Sequence, residues 1–404
     1  MSQGVFIVGL GAISAIGNDL RECISALENG RTGIDAITRL QTTHRGRIPV
    51  AEVKLTNAEL ANRAAASPRV SRTALLSLLA AREALDDAAL PERSDLRIGF
   101  ISANTVGGMD RSEQFFEVWL ADPSHAKLRG IVQHECGAVT EWVADQLGIG
   151  DYVTTISTAC SSSANAIFFG ARLIRQGLLD VAVAGGADAL TKFTLNGFNS
   201  LMILDGEPCK PFDEDRNGLN LGEGSGYLVL VSERLASAVM NGSEHGKIYC
   251  RLSGWANAND AYHQTASSPD GTGSYLAMQG ALERSGLCPS DISYINLHGT
   301  GTRNNDMAEG IAIRRLFGTQ CPKMSSTKSF TGHTLGASGG IEAVFSALSV
   351  KYGFIYPNLR FRTPMDGFSC LPETTFSCDP AVAHVLSNSF GFGGNCSSLI
   401  FSKL

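Results

Sequence analysis

Three side chains stand where covalent or acid–base chemistry is easiest to expose: Cys160, His298 and His333. Cys160 lies in Ser157-Thr158-Ala159-Cys160-Ser161-Ser162-Ser163, after the strand-like run Tyr152 to Ile156. A run with Ala164, Ile167, Phe168 and Ala171 on one helical face follows it, ending near Gly177. This spacing puts the sulfur at the first turn of a helix, where free N–H groups and the helix dipole favour the reactive thiolate. Small neighbours leave room for a substrate. From position alone, an ordinary buried thiol is an equal alternative.

His298 ends the predicted strand Ile292 to Leu297 and opens Gly299-Thr300-Gly301-Thr302, small residues that face a cleft more readily than a packed core. His333 stands in Lys328-Ser329-Phe330-Thr331-Gly332-His333, ahead of Gly336-Ala337-Ser338-Gly339-Gly340 and a further helix. Taken singly, a histidine in such a loop is more often structural than catalytic.

The elements that must hold these residues come in a repeated order. Val5 to Val8 reads as a strand, Gly9 to Gly17 as a glycine-rich loop, and Ile24 and Leu27 as part of a helix before Gly30. Gly9-Leu10-Gly11-Ala12-Ile13-Ser14 lacks the third glycine of a dinucleotide fingerprint, and no G-x-x-x-x-G-K-[ST] phosphate loop is present. A helix over about Ser71 to Ala89 precedes the strand Ile98 to Ile101, and the region from Asp110 to Gly148 reads as mainly helical. Behind Cys160 and its helix come strand Val181 to Ala184, a glycine-punctuated loop and strand Tyr227 to Val231. The second half has a helix with Ile341, Val344, Phe345 and Leu348, strand Ala383 to Leu386, loop Gly391-Phe392-Gly393-Gly394 and strand Ser398 to Phe401. The same order twice points to an internal duplication, joined near residue 250 after the stretch Asn241 to Lys247, with mixed sheets between helices.

With 404 residues, 44% hydrophobic and 18% charged, the chain has enough apolar material for a sizeable core. A formal charge of -6 without a basic stripe gives neither nucleic acid nor an anionic membrane anything to bind. No apolar run reaches the roughly 18 residues of a spanning helix, so a cytoplasmic protein is expected. The ten cysteines form no C-x-x-C pair and are expected as thiols in a reducing compartment, and the eight histidines form no H-x₃₋₅-H pair that would hold a metal.

Together the blocks are far more specific than their parts. Thr-Ala-Cys-Ser-Ser-Ser at 158–163, His-Gly-Thr-Gly-Thr at 298–302, Lys-Ser-Phe-Thr-Gly-His at 328–333 and Gly-Phe-Gly-Gly at 391–394, in this order, resemble the beta-ketoacyl-ACP synthases. These are the elongating condensing enzymes of fatty acid and polyketide synthesis. The similarity takes in Lys210-Pro211-Phe212-Asp213 and Leu221-Gly222-Glu223-Gly224-Ser225-Gly226, and so runs over essentially the whole chain.

The resemblance implies a thiolase-like duplicated five-layer αβαβα fold with mixed sheets: residues 1–250 would carry the nucleophilic cysteine and residues 251–404 the two histidines. It implies that Cys160 takes an acyl group and that His298 and His333 serve decarboxylation and condensation. Lys328 matches the lysine that sets charge around His333, and Glu309 an acidic residue behind the site. The Cys160 and Phe392 backbone N–H groups would receive the oxyanion, and Phe392 would also gate the acyl pocket, with an ordinary core aromatic as its alternative. Acyl length falls by analogy to residues around Val106 to Met109 and Phe193 to Met202. No cofactor is held permanently, since acyl and malonyl substrates arrive on the phosphopantetheine of an acyl carrier protein. The partners implied are that carrier protein and a second subunit, leaving homodimer and heterodimer both open.

The chain departs from the pattern at Arg303-Asn304-Asn305-Asp306, where many relatives carry proline after the second threonine, and at Asn395-Cys396, where housekeeping synthases usually show Thr-Asn. These changes border the cleft and bear on substrate and pathway, not on reaction class. Two rivals stand beside this reading. A noncatalytic, chain-length-determining partner subunit would have no need of Cys160, both histidines and Lys328. A thiolase would need a second cysteine as base, for which Cys396 is the nearest candidate.

Overall fold

The computed structural model describes residues 4–90, 95–242 and 247–404. Its strands are β1 (Val5–Ser14), β2 (Ile98–Ala103), β3 (Tyr152–Ile156), β4 (Val181–Asp188), β5 (Gly224–Ser232), β6 (Cys250–Asn259), β7 (Tyr294–Asn296), β8 (Lys323–Ser325), β9 (Phe354–Ile355), β10 (Ser377–Cys378), β11 (His384–Gly391) and β12 (Asn395–Ser402). Between them lie helices α1 (Leu20–Glu28), α2 (Asn57–Ala64), α3 (Arg72–Asp87), α4 (Met109–Ala121), α5 (Cys136–Leu147) and α6 (Ser162–Arg175). The rest are α7 (Lys192–Ser200), α8 (Glu233–Gly242), α9 (Thr272–Ser285), α10 (Arg303–Phe317), α11 (Lys328–Thr331) and α12 (Ser338–Tyr352).

Ten strands share one sheet in the order β3-β2-β4-β5-β1-β6-β12-β11-β7-β8. Read inward from either edge, β3-β2-β4-β5-β1 and β8-β7-β11-β12-β6 are the same arrangement, with β6, β7, β8, β11 and β12 in the places of β1, β2, β3, β4 and β5. Pairing sense agrees as well. β3–β2 and β2–β4 are parallel, as are β8–β7 and β7–β11. β4–β5 and β5–β1 are antiparallel, as are β11–β12 and β12–β6. The halves meet at Phe6↔Arg251 and Ile7↔Cys250. Duplication without a residue-level repeat is therefore visible as repeated topology.

Five layers follow from strands buried on both faces. On β5, Tyr227, Val229 and Val231 pack with α3, while Leu228 and Leu230 turn to α6 and α12. The period of two thus feeds two cores from one strand. In the second half, Ile295 and Leu386 pack outward on Met278 and Ala281 of α9 and Ala312 of α10. Helices α6 and α12 form the central layer, and each begins at a loop that carries candidate site residues.

Two expectations are corrected. The predicted loop Gly9 to Gly17 is instead largely strand, because β1 continues to Ser14. Glycines are needed there for contact: a Cβ on Gly9 would lie 2.1 Å from Ala84 O, and one on Gly11 2.1 Å from Ala80 O, both on α3. Cys321 and Cys370 are paired in a disulfide instead of standing as separate thiols, since the fold brings their Cα atoms to 5.7 Å. Part of the stretch Asn241 to Lys247, where the joint was expected, lies outside the described residues. No helix among the described residues is long and apolar enough to cross a membrane.

Candidate active site

Cys160 sits on a sharp turn between β3 and α6. Ala159 adopts φ +52°, left-handed for a residue that carries a Cβ. The turn is held by Ser162, whose hydroxyl accepts from Thr158 N at 2.8 Å and donates to Ala159 O at 2.6 Å. Helix α6 starts at Ser162 with Ser161 as its cap, so the sulfur stands ahead of the helix and not in its first turn. The charge of Lys328 and the backbone N–H of Phe392 pull the Cys160 thiol pKa down. Burial acts more strongly and leaves it raised to about 11.

His333 follows the short helix α11. Its backbone is fixed by the segment just ahead of β5: His333 N donates to Asn220 O at 2.7 Å and its carbonyl receives Gly222 N at 2.9 Å. Gly222 is required, since a Cβ there would lie 2.2 Å from Thr331 O. Leu335 N donates to His333 Nδ1 at 3.2 Å, which makes Nδ1 an acceptor and puts the ring proton on Nε2. Ser338 Oγ lies 3.0 Å from the same nitrogen.

His298 is oriented in the same sense. Lys328 Nζ lies 3.3 Å from His298 Nδ1, so the lysine donates and Nε2–H is left free. The two imidazoles meet edge to face, with ring centres 5.4 Å apart. Burial first, then the charge of Lys328, hold both histidines well below their ordinary pKa of 6.5. The site therefore presents two neutral N–H donors at neutral pH.

Behind them lies a buried charged group that the sequence reading only half foresaw. Lys328 Nζ pairs with Glu342 of α12, and both residues are almost fully buried. Burial lifts the Glu342 carboxyl to about 7, against the opposing pull of Lys328. Glu342 lies beside Ile341 in a helix whose other charged residue, Lys351, stands in its last turn, and a carboxylate at so buried a helical position was the missed signal. Glu309 accepts from His298 N at 2.9 Å, Gly299 N at 2.8 Å and Asn388 Nδ2 at 3.0 Å, so it holds the backbone of the His298 loop and not the ring. Asp306 was also missed, and it accepts from Thr300 N at 3.0 Å and from Phe212 N at 2.8 Å.

Cys160, His298, His333 and Phe392 line one cavity of about 410 Å³. Phe198 and Met202, from the segment linked by analogy to acyl length, line it too, and the Phe198 ring stacks on Phe392 with centroids 5.6 Å apart. Arg303, Asn304 and Asn305 border the same space. Cys396 does not: it is buried beside Ala277 and Phe390, with its thiol raised to about 12 by burial. The second cysteine of a thiolase thus has no counterpart at this cavity among its lining residues.

Comparison with known proteins agrees with this geometry. The model of the beta-ketoacyl synthase N-terminal domain matches residues 2–236, and that of the C-terminal domain residues 249–362. The chain is 35% identical over 418 residues to the 3-oxoacyl-[acyl-carrier-protein] synthase 2 of Staphylococcus aureus (strain COL), covering 100% of this chain and 99% of that protein. Among solved structures, the ishigamide ketosynthase/chain length factor aligns over 100% of both chains with TM-score 0.92 and 31% identity. A type II polyketide ketosynthase bound to the hexaketide, in complex with its acyl-carrier protein, aligns over 100% of both chains with TM-score 0.87 and 26% identity. Matched from one end to the other and in both of its halves, this chain belongs to the beta-ketoacyl synthase family.

Proposed function

We propose that this chain is a beta-ketoacyl-ACP synthase that extends an acyl group by decarboxylative condensation with malonyl-ACP, in fatty acid or related polyketide elongation. The observation that carries the reading is the convergence of the Cys160 sulfur and two imidazoles, each with Nε2–H free, on one cavity. A partner subunit that only sets chain length has no use for that set.

The Cys160 sulfur attacks the carbonyl of an acyl thioester, and the oxyanion is received by the backbone N–H groups of Cys160 and Phe392. The carbonyl re-forms, the pantetheine sulfur leaves, and it takes up the proton given up by the Cys160 thiol. Malonyl thioester then enters. Its bond to the carboxylate breaks, carbon dioxide departs, and the electron pair becomes an enolate whose oxygen accepts from His298 and His333 Nε2–H. The enolate carbon attacks the acyl-enzyme carbonyl, and the Cys160 sulfur is expelled as thiolate. Burial, with the charge of Lys328 added to it, keeps both imidazoles neutral; Lys328 orients His298, while Glu309 fixes the loop beneath it.

In this reading the halves 1–250 and 251–404 supply the nucleophile and the histidine pair respectively. The protein acts in the cytoplasm as a dimer, with a second copy or a related subunit. Support for pairing comes from the edge strand β3, half-buried along its whole length, and from Phe116, Trp119 and Leu120 exposed on α4.

The test is intact mass after incubation with acyl-carrier proteins of several chain lengths, with peptide mapping. Wild type gains one acyl group on Cys160 and Cys160→Ala gains none. An adduct elsewhere, or none with any donor, removes the assignment.

A further inference from the structure

Gly391 presses on the turn that carries Cys160: a Cβ on it would lie 3.0 Å from Cys160 N and 3.2 Å from Thr158 O. Strands β11 and β12 pair with each other and with β7 and β6, so no sheet ladder fixes their loop to that turn. A patch of uncharged polar side chains occupies the join instead. Asn395 Oδ1, at the start of β12, lies 2.7 Å from Ser161 Oγ, 2.8 Å from Asn257 Nδ2 and 3.1 Å from Asn165 Nδ2. Asn165 Nδ2 also reaches Thr158 Oγ1 at 2.8 Å, and Asn165 Oδ1 accepts from Ser397 and from Asn257, the latter at 3.1 Å. Ser161 and Asn165 are 0% and 7% exposed, so water does not readily replace these partners.

We propose that Asn395 is a positioning residue for acyl transfer. Its side-chain oxygen ties the residue after Cys160 to the loop of Phe392, and so sets the spacing of the two backbone N–H groups that receive the carbonyl oxygen. This rests on the acyl-transfer reading above. A donor displaced or tilted away from an oxyanion loses most of its effect, and removal of one donor from such a pair typically costs about 10²–10³ in kcat.

The experiment compares wild type, Asn395→Ala, Ser161→Ala and the double variant in two reactions at Cys160. One is single-turnover acyl transfer from an acyl-carrier protein, read as rate against donor concentration. The other is alkylation by iodoacetamide, which displaces iodide at a saturated carbon and forms no oxyanion. Loss of the clamp lowers the limiting acyl-transfer rate about tenfold or more, leaves half-saturation nearly unchanged, and moves alkylation by less than about threefold. The double variant is no slower than the slower single one, since both cut the same link. If Asn395→Ala does not fold, Ser161→Ala breaks the link from the other side. Equal loss in both reactions, or no loss in acyl transfer, overturns the proposal. A wild type that alkylates normally yet accepts no acyl group removes the acyl-transfer reading, and the clamp with it.

Discussion

At the scale of single residues, burial and the buried cation Lys328 together decide the state of the imidazoles. Burial holds both histidines low and the charge of Lys328 adds to it; the lysine also donates to His298 Nδ1 and pairs with Glu342, so each imidazole enters the cavity neutral with Nε2–H forward. Malonyl decarboxylation should accordingly show no inflection as pH passes through 6.5; an inflection there would mean that one of the two imidazoles is not held below its ordinary range. The same depression links to stability. Below about 6.5 the unfolded chain binds protons that the folded imidazoles refuse, so the histidine contribution is full above that pH and is lost below it. Lys328→Met leaves Glu342 buried without its cation and is expected to cost about 3–5 kcal/mol in chemical denaturation. Adding Glu342→Leu should recover most of that stability without restoring carbon dioxide release, which separates the lysine's part in folding from its part in the site.

At the scale of elements, the site depends on how closely helices of the central layer approach the sheet. Gly340 of α12 crosses β5 where a Cβ would lie 2.5 Å from Gly226 O, a distance that no rotamer change can relieve. Its neighbour Gly339 faces Ser389 and Ala164 in the same way, with 2.7 Å and 3.0 Å left for a Cβ. Gly340→Ala should therefore push α12 off β5 and lower stability by about 3 kcal/mol, measured by denaturant unfolding. Because α12 starts just after His333 and carries Glu342, the same variant should lose decarboxylation before it loses its fold. Equal activity and stability to wild type would show that the contact is softer than its geometry implies.

At the scale of the whole molecule, two copies of one topology supply different chemistry from matching places. The turn after β3 carries Cys160 and that after β8 leads to Lys328 and His333; both open onto central-layer helices, so the duplication itself brings Cys160 and His333 to one cavity. The half-buried edge β3 and the exposed Phe116, Trp119 and Leu120 of α4 lie on the first half only. Sedimentation should give twice the 42.8 kDa of the chain when it is alone in solution. A stable monomer that doubles only on adding a related subunit would identify a heterodimer.

The sequence by itself determined the reaction class and most of the elements, since Thr-Ala-Cys-Ser-Ser-Ser, His-Gly-Thr-Gly-Thr and Lys-Ser-Phe-Thr-Gly-His hold a thiol and two imidazoles in fixed local frames. Strand β3 and the helices α3, α6 and α12 were legible from apolar period and caps, which are local properties. Other features were decided only by tertiary structure. Gly9 and Gly11 read as a loop because their reason for being glycine is the backbone of α3, some 70 residues away in sequence. Glu342 was passed over because its partner Lys328 belongs to a different element. The sulfur of Cys160 was expected in the first turn of a helix; it stands just ahead of α6, and its burial, which no local pattern reports, raises the thiol to about 11.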